Sequence, residues 1–160
     1  MKDIYQILKE LNIPYKKHDH PPVFTTQESG QFNITAEGVG DTKNLFLRNK
    51  KGDRHYLVVL GHEKKADLKE LRKKLGESKL SFASPERMMD KLGLTPGSVS
   101  LAGLVNNAEK DVIVILDQEL WEHEVIACHP NRNDATLEIA RTDMDRFLEW
   151  SGNEVRVMDL

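Results

Sequence analysis

The feature that most constrains the fold of this chain is an uninterrupted apolar run, Val112-Ile113-Val114-Ile115-Leu116. A strand with one solvated face alternates apolar and polar residues, because successive side chains point to opposite faces of the sheet. An unbroken apolar run of this length is instead typical of a strand with both faces covered. The run therefore predicts a central strand that carries the core.

Two further β-rich segments, residues 43–49 and 54–60, form the strongest predicted strand pair. The residues between them, Lys50-Lys51-Gly52-Asp53, have the composition of a hairpin turn. Shorter strands are predicted at 15–18, 79–82, 124–128, 135–140 and 154–158.

Helices are predicted between these strands from the spacing of apolar residues and from end signals. They cover 3–11, 67–75, 84–93 and 142–150, with a short one over 27–32. Asp67, Ser84 and Thr142 are predicted N-caps, and Thr25 or Thr26 would cap the short helix. Helices inserted irregularly among strands predict an α+β (mixed α/β) fold. We expect a single compact domain over residues 1–160, with a mixed central β-sheet or partial barrel of about six or seven strands surrounded by helices.

The composition is that of an ordinary globular domain. The chain has 160 residues, of which 39% are hydrophobic and 31% charged, and its net charge is -3. That charge argues against general coating of nucleic acid, so a polyanionic partner would need a local basic patch, and DNA is not expected. No apolar run reaches the roughly 18 to 20 residues of a membrane-spanning helix, and the amino terminus lacks the apolar region of a signal peptide. We therefore expect a cytoplasmic protein that makes no membrane contact.

The stretch from Gly38 to Arg48 delivers Lys43 and Asn44 to the first positions of an apolar strand. It is not a phosphate-binding P-loop, because Lys43 lacks a preceding glycine and a following hydroxyl residue. It is not a dinucleotide fingerprint either, because its glycines precede a strand instead of joining a strand to a helix. From the residues alone, Lys43 is either a solvated strand end or the cation of a site. In the second case the side chains of Lys43 and Asn44 would both face the mouth of a cleft.

The histidines and the single cysteine offer only a weak metal-binding pattern. His18 and His20 have a spacing that can chelate on an extended chain, and His123 and His129 bracket Cys128. No His-Glu-x-x-His or Cys-x-x-Cys motif occurs, so we predict neither a metal nor a cofactor. Because His129 and Cys128 are adjacent on a strand and point to opposite faces, a buried structural cysteine is the favoured interpretation.

A group of basic residues lies on or just before the predicted helix 67–75, opposite its leucine stripe. One interpretation is a solvated face balanced by neighbouring glutamates, and the other is a contact with the phosphate backbone of a nucleic acid. The residues are Lys64, Lys65, Lys69, Arg72, Lys73 and Lys74, of which Lys65, Lys69, Arg72 and Lys73 are the candidates for contact with a phosphate backbone.

Several motifs occur in a fixed order along nearly the whole chain. They are His20-Pro21-Pro22-Val23-Phe24-Thr25, Lys43-Asn44-Leu45-Phe46-Leu47, Leu80-Ser81-Phe82-Ala83-Ser84, Leu94-Thr95-Pro96-Gly97-Ser98-Val99-Ser100, Gly103-Leu104-Val105-Asn106 and His129-Pro130-Asn131-x-Asn133-x-x-Thr136. Together they resemble the YbaK and prolyl-tRNA-synthetase-associated editing domains, and among these the free-standing alanyl-tRNA(Pro) deacylases of the ProX or PrdX type. Two positions depart from that pattern: Leu101 stands where relatives often have proline, and Asn107 where aspartate is common.

The resemblance implies a trans-editing hydrolase that removes alanine wrongly attached to proline tRNA. Lys43 matches the essential lysine of the family. The partners implied are the acceptor end of proline tRNA and prolyl-tRNA synthetase. Candidate substrate-binding residues, carried over from the motifs, are Phe24, Thr25, Asn44, Gly97, Ser98, Ser100, Gly103 and His129.

The chemistry expected of these residues is ester hydrolysis. A lysine cation can hold a terminal phosphate or stabilise the tetrahedral oxyanion, and no defensible Ser-His-Asp order occurs, so we favour attack by water positioned by the 97–103 loop. Phe24, Val39 and Leu45 are candidate pocket walls that would exclude proline sterically. Two alternatives remain: a cysteinyl-tRNA(Pro) deacylase of the same fold, and a non-catalytic module that senses aminoacyl-tRNA or an amino acid.

Overall fold

The computed structural model of this protein describes residues 3–21, 39–40 and 42–160. The predicted helix over 27–32, with its caps at Thr25 or Thr26, lies outside these residues. The helices are α1 (Ile4–Glu10), α2 (Leu68–Leu75), α3 (Pro85–Leu92) and α4 (Arg141–Ser151), with 3-10 helices at Leu101–Asn106 and Leu120–Glu122. The strands are β1 (Lys16–Asp19), β2 (Val39–Gly40), β3 (Thr42–Asn49), β4 (His55–Gly61), β5 (Leu80–Phe82), β6 (Val112–Asp117), β7 (Val125–Cys128), β8 (Ala135–Ala140) and β9 (Val155–Met158).

The strands form two sheets, which confirms the mixed α+β class. A five-stranded sheet has the order β5-β3-β4-β6-β9, and a four-stranded sheet has the order β1-β8-β7-β2. The expectation of one central sheet with six or seven strands is therefore corrected to nine strands in two sheets within the described residues. The sequence did not predict β2, because a strand of only two residues carries no periodic signal.

The five-stranded sheet is buried on both faces because each face meets a different set of side chains. One face contributes Phe46, Leu57 and Val114 to a larger core shared with Ile126 and Leu137 of the four-stranded sheet and with α1, α3 and α4. The other face is covered by α2, whose Leu71 and Leu75 complete a smaller cluster. The alternation within β4 and β6 places every second residue in each cluster, which confirms Val112 to Leu116 as a central, doubly buried strand. The smaller cluster comprises Leu47, Tyr56, Val58, Leu60, Leu71, Leu75, Leu80 and Ile115.

The helix ends follow the predicted signals at α2 and α3 but not at α4. The Asp67 side chain accepts from the amides of Lys69 and Glu70, and Ser84 accepts from the Arg87 amide. At α4 the predicted cap Thr142 is wrong, because the helix begins at Arg141 directly after β8 and has no side-chain cap. The Arg141 amide instead donates to the Glu124 carbonyl at 2.8 Å, so tertiary contact satisfies a donor that a cap would otherwise serve.

None of the helices in the described ranges combines the length and apolarity needed to cross a bilayer.

Candidate active site

Two side-chain hydroxyls tie the end of β7 to the start of β3 and to the loop before the first 3-10 helix. Thr42 Oγ1 donates to the Ala127 carbonyl at 2.7 Å. Ser100 Oγ donates to the carbonyl of His129 at 2.6 Å. These bonds join segments that are far apart in sequence into one place, which we call the β3–β7 corner and define as residues 42–44, 97–103 and 127–129.

Lys43 and Asn44 lie on opposite faces of the five-stranded sheet. Lys43 is paired with Leu60, a member of the smaller cluster, and Asn44 is paired with Val59, a member of the larger core. Residues directly opposite each other on antiparallel strands share a face. The sequence places both side chains at one cleft mouth, whereas the pleat of β3 separates them, so they cannot line the same wall.

Lys43 is half-buried, and its ammonium is hydrogen-bonded to the backbone. Its Nζ donates to the carbonyl of Lys64, in the turn that follows β4. Burial lowers the pKa of Lys43, and the nearby positive charge of Lys65 lowers it further. A partly desolvated cation interacts more strongly with a nearby anion than a fully hydrated one does. Lys43 is therefore suited to stabilising negative charge.

The 97–103 loop is fixed from inside. Ser100 is completely buried, and its Oγ also accepts from the Ala102 amide at 3.1 Å, so its hydroxyl is engaged on both sides. A Cβ on Gly103 would lie 2.7 Å from Leu94 Cδ1, so this glycine permits close packing. Gly97 has a φ of 90° and Ser98 closes the turn, and both are half-exposed. Ser100 and Gly103 therefore hold the loop, while Gly97 and Ser98 lie at its surface.

His129 and Cys128 adjoin at the end of β7 but have different environments. His129 Nδ1 lies 3.2 Å from the Ala135 carbonyl. Because a carbonyl only accepts, Nδ1 carries the proton in this bond, which fixes the orientation of the ring. Cys128 is buried, and burial raises the pKa of its thiol to about 12. The prediction of a buried structural cysteine is confirmed.

The two histidines with chelating spacing bind to protein groups. His18 Nε2 lies 3.0 Å from a Glu138 carboxylate oxygen, and His20 Nε2 lies 2.9 Å from Thr136 Oγ1. Both contacts join the end of β1 to β8. Within residues 3–21, 39–40 and 42–160, no three ligating side chains converge on a point where a metal ion would bind.

The candidate tRNA-backbone residues on and before α2 are not equivalent. Lys65, Lys69 and Lys73 are exposed, and Lys73 pairs with Glu70 at 3.5 Å. Arg72 is half-buried and donates to the Glu77 carbonyl at 3.2 Å, beyond the end of α2. Lys43 Nζ donates to the carbonyl of Lys64, the residue before Lys65, so this end of the basic surface adjoins Lys43.

Other predicted site residues fall outside the corner as described. Phe24 and Thr25 lie outside the described residues, as does the side chain of Val39. Leu45 packs against the smaller cluster. The departures Leu101 and Asn107 are both buried, and Asn107 Oδ1 accepts from the Val112 amide at 3.2 Å, so neither residue is exposed at the surface of the corner.

Sequence reasoning missed Thr42. The available signal was a hydroxyl residue directly before Lys43 at the start of a strand. Its partner, the Ala127 carbonyl, is 85 residues away, and no local pattern encodes that contact.

Comparison with known proteins identifies the family. Residues 20–147 match the aminoacyl-tRNA editing domain. The chain belongs to this family. It is 41% identical over 154 residues to the prolyl-tRNA editing protein ProX of Acetoanaerobium sticklandii, covering 96% of this chain and 93% of that one.

A second relative and a solved structure are also similar to this chain. The prolyl-tRNA synthetase associated domain-containing protein 1 of Danio rerio is 39% identical over 150 residues, covering 92% of this chain and 80% of that one. A crystal structure described as a candidate trans-editing enzyme for prolyl tRNA synthetase superposes with a TM-score of 0.71 and 19% identity, covering 98% of this chain and 94% of that one. At that identity the superposition shows the fold alone. The family resemblance found in the sequence motifs is confirmed.

Proposed function

We propose that this protein is a trans-acting aminoacyl-tRNA deacylase that hydrolyses alanine from mischarged proline tRNA. The observation that carries the proposal is the match of residues 20–147 to the aminoacyl-tRNA editing domain. The name of the A. sticklandii relative, a prolyl-tRNA editing protein, supports proline tRNA as the substrate. On this proposal residues 1–160 act as one editing domain in the cytoplasm.

The reaction is hydrolysis of the ester between alanine and the terminal ribose. The oxygen of a water molecule attacks the ester carbonyl carbon and forms a tetrahedral oxyanion. The bond from that carbon to the ribose oxygen then breaks, and the ribose oxygen takes up the proton that the water loses. The products are free alanine and a tRNA with a free terminal hydroxyl.

Lys43 is the proposed catalytic residue. The ammonium of this half-buried residue would stabilise the oxyanion, or hold the phosphate of the terminal adenosine beside it. Fixed donors in a poorly hydrated site need little reorganisation as charge develops, so the bond to the Lys64 carbonyl supports this role.

Water is the proposed nucleophile because the Ser100 hydroxyl and the Cys128 thiol are poor candidates. The Ser100 hydroxyl is fully buried and already donates to the His129 carbonyl. The Cys128 thiol, with its pKa raised to about 12, stays protonated at neutral pH. The half-exposed backbone at Gly97 and Ser98 would position the water, together with a hydroxyl of the tRNA.

Selection of alanine over proline would be steric. A pocket can exclude a larger ring strictly, whereas a missing methylene group changes binding by only about 1 to 3 kcal/mol. The candidate walls are Phe24, Val39 and Leu45, and Thr25 is a further candidate for contact with the substrate. His129 and Asn44 would contact the substrate from the side of the larger core, and Ser100 and Gly103 would act by holding the loop.

The tRNA would be held through its phosphates by the basic surface of α2. Lys65 precedes α2 and is exposed near Lys43, Lys69 is exposed in the first turn of α2, and Arg72 and Lys73 lie further along that helix. Phosphate contacts position a nucleic acid without reading its sequence, so discrimination among tRNAs would come from other elements or from association with prolyl-tRNA synthetase.

A panel of charged tRNAs tests the proposal. The purified protein is incubated with proline tRNA charged with alanine, cysteine, serine or proline, alongside Lys43→Ala and a no-enzyme buffer. We expect selective loss of the alanyl ester with the wild-type protein. Preference for the cysteinyl ester would move the assignment to that branch, and binding without turnover of any ester would make the protein a sensor. A covalent acyl-enzyme trapped by rapid quenching would rule out direct attack by water.

A further inference from the structure

We propose that Asp117 and Lys64 are positioning residues that hold the ammonium of Lys43 in place. The inference rests on the proposed function of Lys43. It adds two residues that none of the sequence motifs includes, because Asp117 follows the apolar run of β6 and Lys64 lies in the turn after β4.

Asp117 is a buried charge with a specific partner. Only 1% of the residue is exposed, and its two carboxylate oxygens accept from Lys64 Nζ at 3.2 and 3.0 Å. The Leu160 amide also donates to Asp117 Oδ1, at 3.3 Å. Buried carboxylates are stable only when they are paired and hydrogen-bonded, so this geometry fixes the Lys64 side chain to the end of β6.

The backbone of Lys64 carries the constraint to Lys43. The Lys64 amide donates to the Gly61 carbonyl at 3.0 Å, which closes the turn after β4. The Lys64 carbonyl accepts from Lys43 Nζ. The turn is therefore held by its side chain at β6 and by its amide at β4, and its carbonyl is directed at the candidate catalytic ammonium.

The arrangement separates two roles between two lysines. The Lys64 side chain is bound by Asp117 and by the exposed Glu119 at 3.2 Å. Its backbone carbonyl accepts from Lys43 Nζ. Loss of the Asp117 charge would release the side chain and let the turn move, and a displacement of about 1 Å in a catalytic group can lower a rate by about a hundredfold.

The test compares variants that break or keep this ion pair. Asp117→Asn keeps the shape of the side chain and removes its charge. Lys64→Met removes the positive charge at position 64, whereas Lys64→Arg keeps it. All of them keep the Lys64 carbonyl. The matched control is Asp111→Asn, which breaks a different lysine-aspartate pair, Lys91 to Asp111 at 2.5 Å.

Three measurements are made on every variant: the single-turnover rate on proline tRNA charged with alanine, the Kd for uncharged tRNA, and the hydrogen-exchange rate of the Lys43 ammonium by ¹⁵N NMR. The Lys43 ammonium signal is identified as the one that is absent from Lys43→Ala. We expect Asp117→Asn and Lys64→Met to lose about tenfold in rate with unchanged Kd, and to exchange the Lys43 ammonium protons several-fold faster. Lys64→Arg and Asp111→Asn should resemble the wild type in all three.

The outcomes separate this inference from the proposed function. Wild-type exchange at Lys43 in both Asp117→Asn and Lys64→Met would overturn the positioning role, whatever the activity. Faster exchange in those variants together with a wild-type protein that clears no ester would support the positioning role and reject the deacylase. Equal loss of rate in Asp111→Asn would also overturn the inference, because it would reflect general destabilisation.

Discussion

The β3–β7 corner and the basic surface of α2 both present cations, but they hold them differently. In the corner, Lys43 is half-buried and its ammonium is bound to a backbone carbonyl, and the hydroxyls of Thr42 and Ser100 are bound to carbonyls as well. On the basic surface, Lys65, which precedes α2, and Lys69, within α2, are exposed to solvent. One region is built for fixed geometry and the other for diffuse charge.

The difference teaches how one protein can separate chemistry from binding. Fixed, poorly hydrated groups act over a few ångströms and are little affected by salt, whereas exposed charges act over a Debye length and are screened by it. We therefore expect changes in the corner to lower the rate of ester hydrolysis and changes on α2 to weaken tRNA binding. Each prediction below tests that separation.

The largest effect should come from Lys43→Ala. Removal of a single donor to an oxyanion lowers rates by roughly 100- to 1,000-fold, so we expect that loss in single-turnover deacylation with little change in the Kd for tRNA. The matched control is Lys110→Ala, which removes another lysine whose ammonium donates to a backbone carbonyl, that of Ser151. Full activity of Lys43→Ala would remove this residue from the mechanism.

The pH dependence of the deacylation rate should reflect the titration of the Lys43 ammonium. A lysine cation acts while it is protonated, so activity falls as pH rises through its pKa. Because burial lowers the pKa of Lys43, the fall should begin at lower pH than for an ordinary lysine, whose pKa is 10.5. The measurement is the deacylation rate against pH after subtraction of uncatalysed ester loss. A profile unchanged between the wild type and Lys43→Ala would contradict it.

A smaller effect is expected from Thr42→Val. This change keeps the shape and leaves the buried Ala127 carbonyl without its donor, which costs about 1–3 kcal/mol in the free energy of unfolding. The corner would loosen, and we expect a rate loss of about tenfold, since misplaced groups react more slowly. Thr42→Ser keeps the hydroxyl and should behave as the wild type in denaturant unfolding and in rate. Equal behaviour of the two variants would show that the hydroxyl has no role.

The smallest effects should come from Lys65→Ala and Lys69→Ala. Each phosphate contact makes tRNA affinity fall by about threefold when salt rises fourfold. Each substitution should therefore weaken tRNA binding by about that factor at low salt. It should also make the plot of log Kd against log salt less steep by about one. The single-turnover rate at saturating protein should stay close to wild type. Lys50→Ala, which removes an exposed lysine in the β3–β4 turn, is the control. A rate loss without a change in salt slope would place these lysines in the chemistry.

Local signals predicted the elements of this fold well. The apolar run at Val112 to Leu116, the turn at Gly52 and the caps Asp67 and Ser84 each act within a few residues, where propensity and hydrogen bonding decide the structure. Thr142 failed as a cap because β8 runs directly into α4, and a tertiary bond from Arg141 replaced it. Division into two sheets also escaped prediction, since β1 pairs with β8 across most of the chain.

The candidate site could be predicted only in part, because it also depends on contacts between residues that are far apart in the sequence. The motifs indicated Lys43, Ser100 and His129, but not that the Ser100 hydroxyl faces inward or that Lys43 and Asn44 occupy opposite faces. Thr42 and Asp117 could not be found, because their partners lie 85 and 53 residues away. Side-chain function at a site depends on pairing that sequence spacing does not encode.

The hydrogen bond between Thr42 and Ala127 has a consequence for synthesis of the protein. The corner needs β3, the 97–103 loop and the end of β7, so it cannot assemble until residue 129 has left the ribosome. β1 must wait still longer for β8, and such distant pairing forms slowly. Nascent or prematurely terminated chains that end before β7 should therefore be inactive, so that ester cleavage begins only with a nearly complete polypeptide.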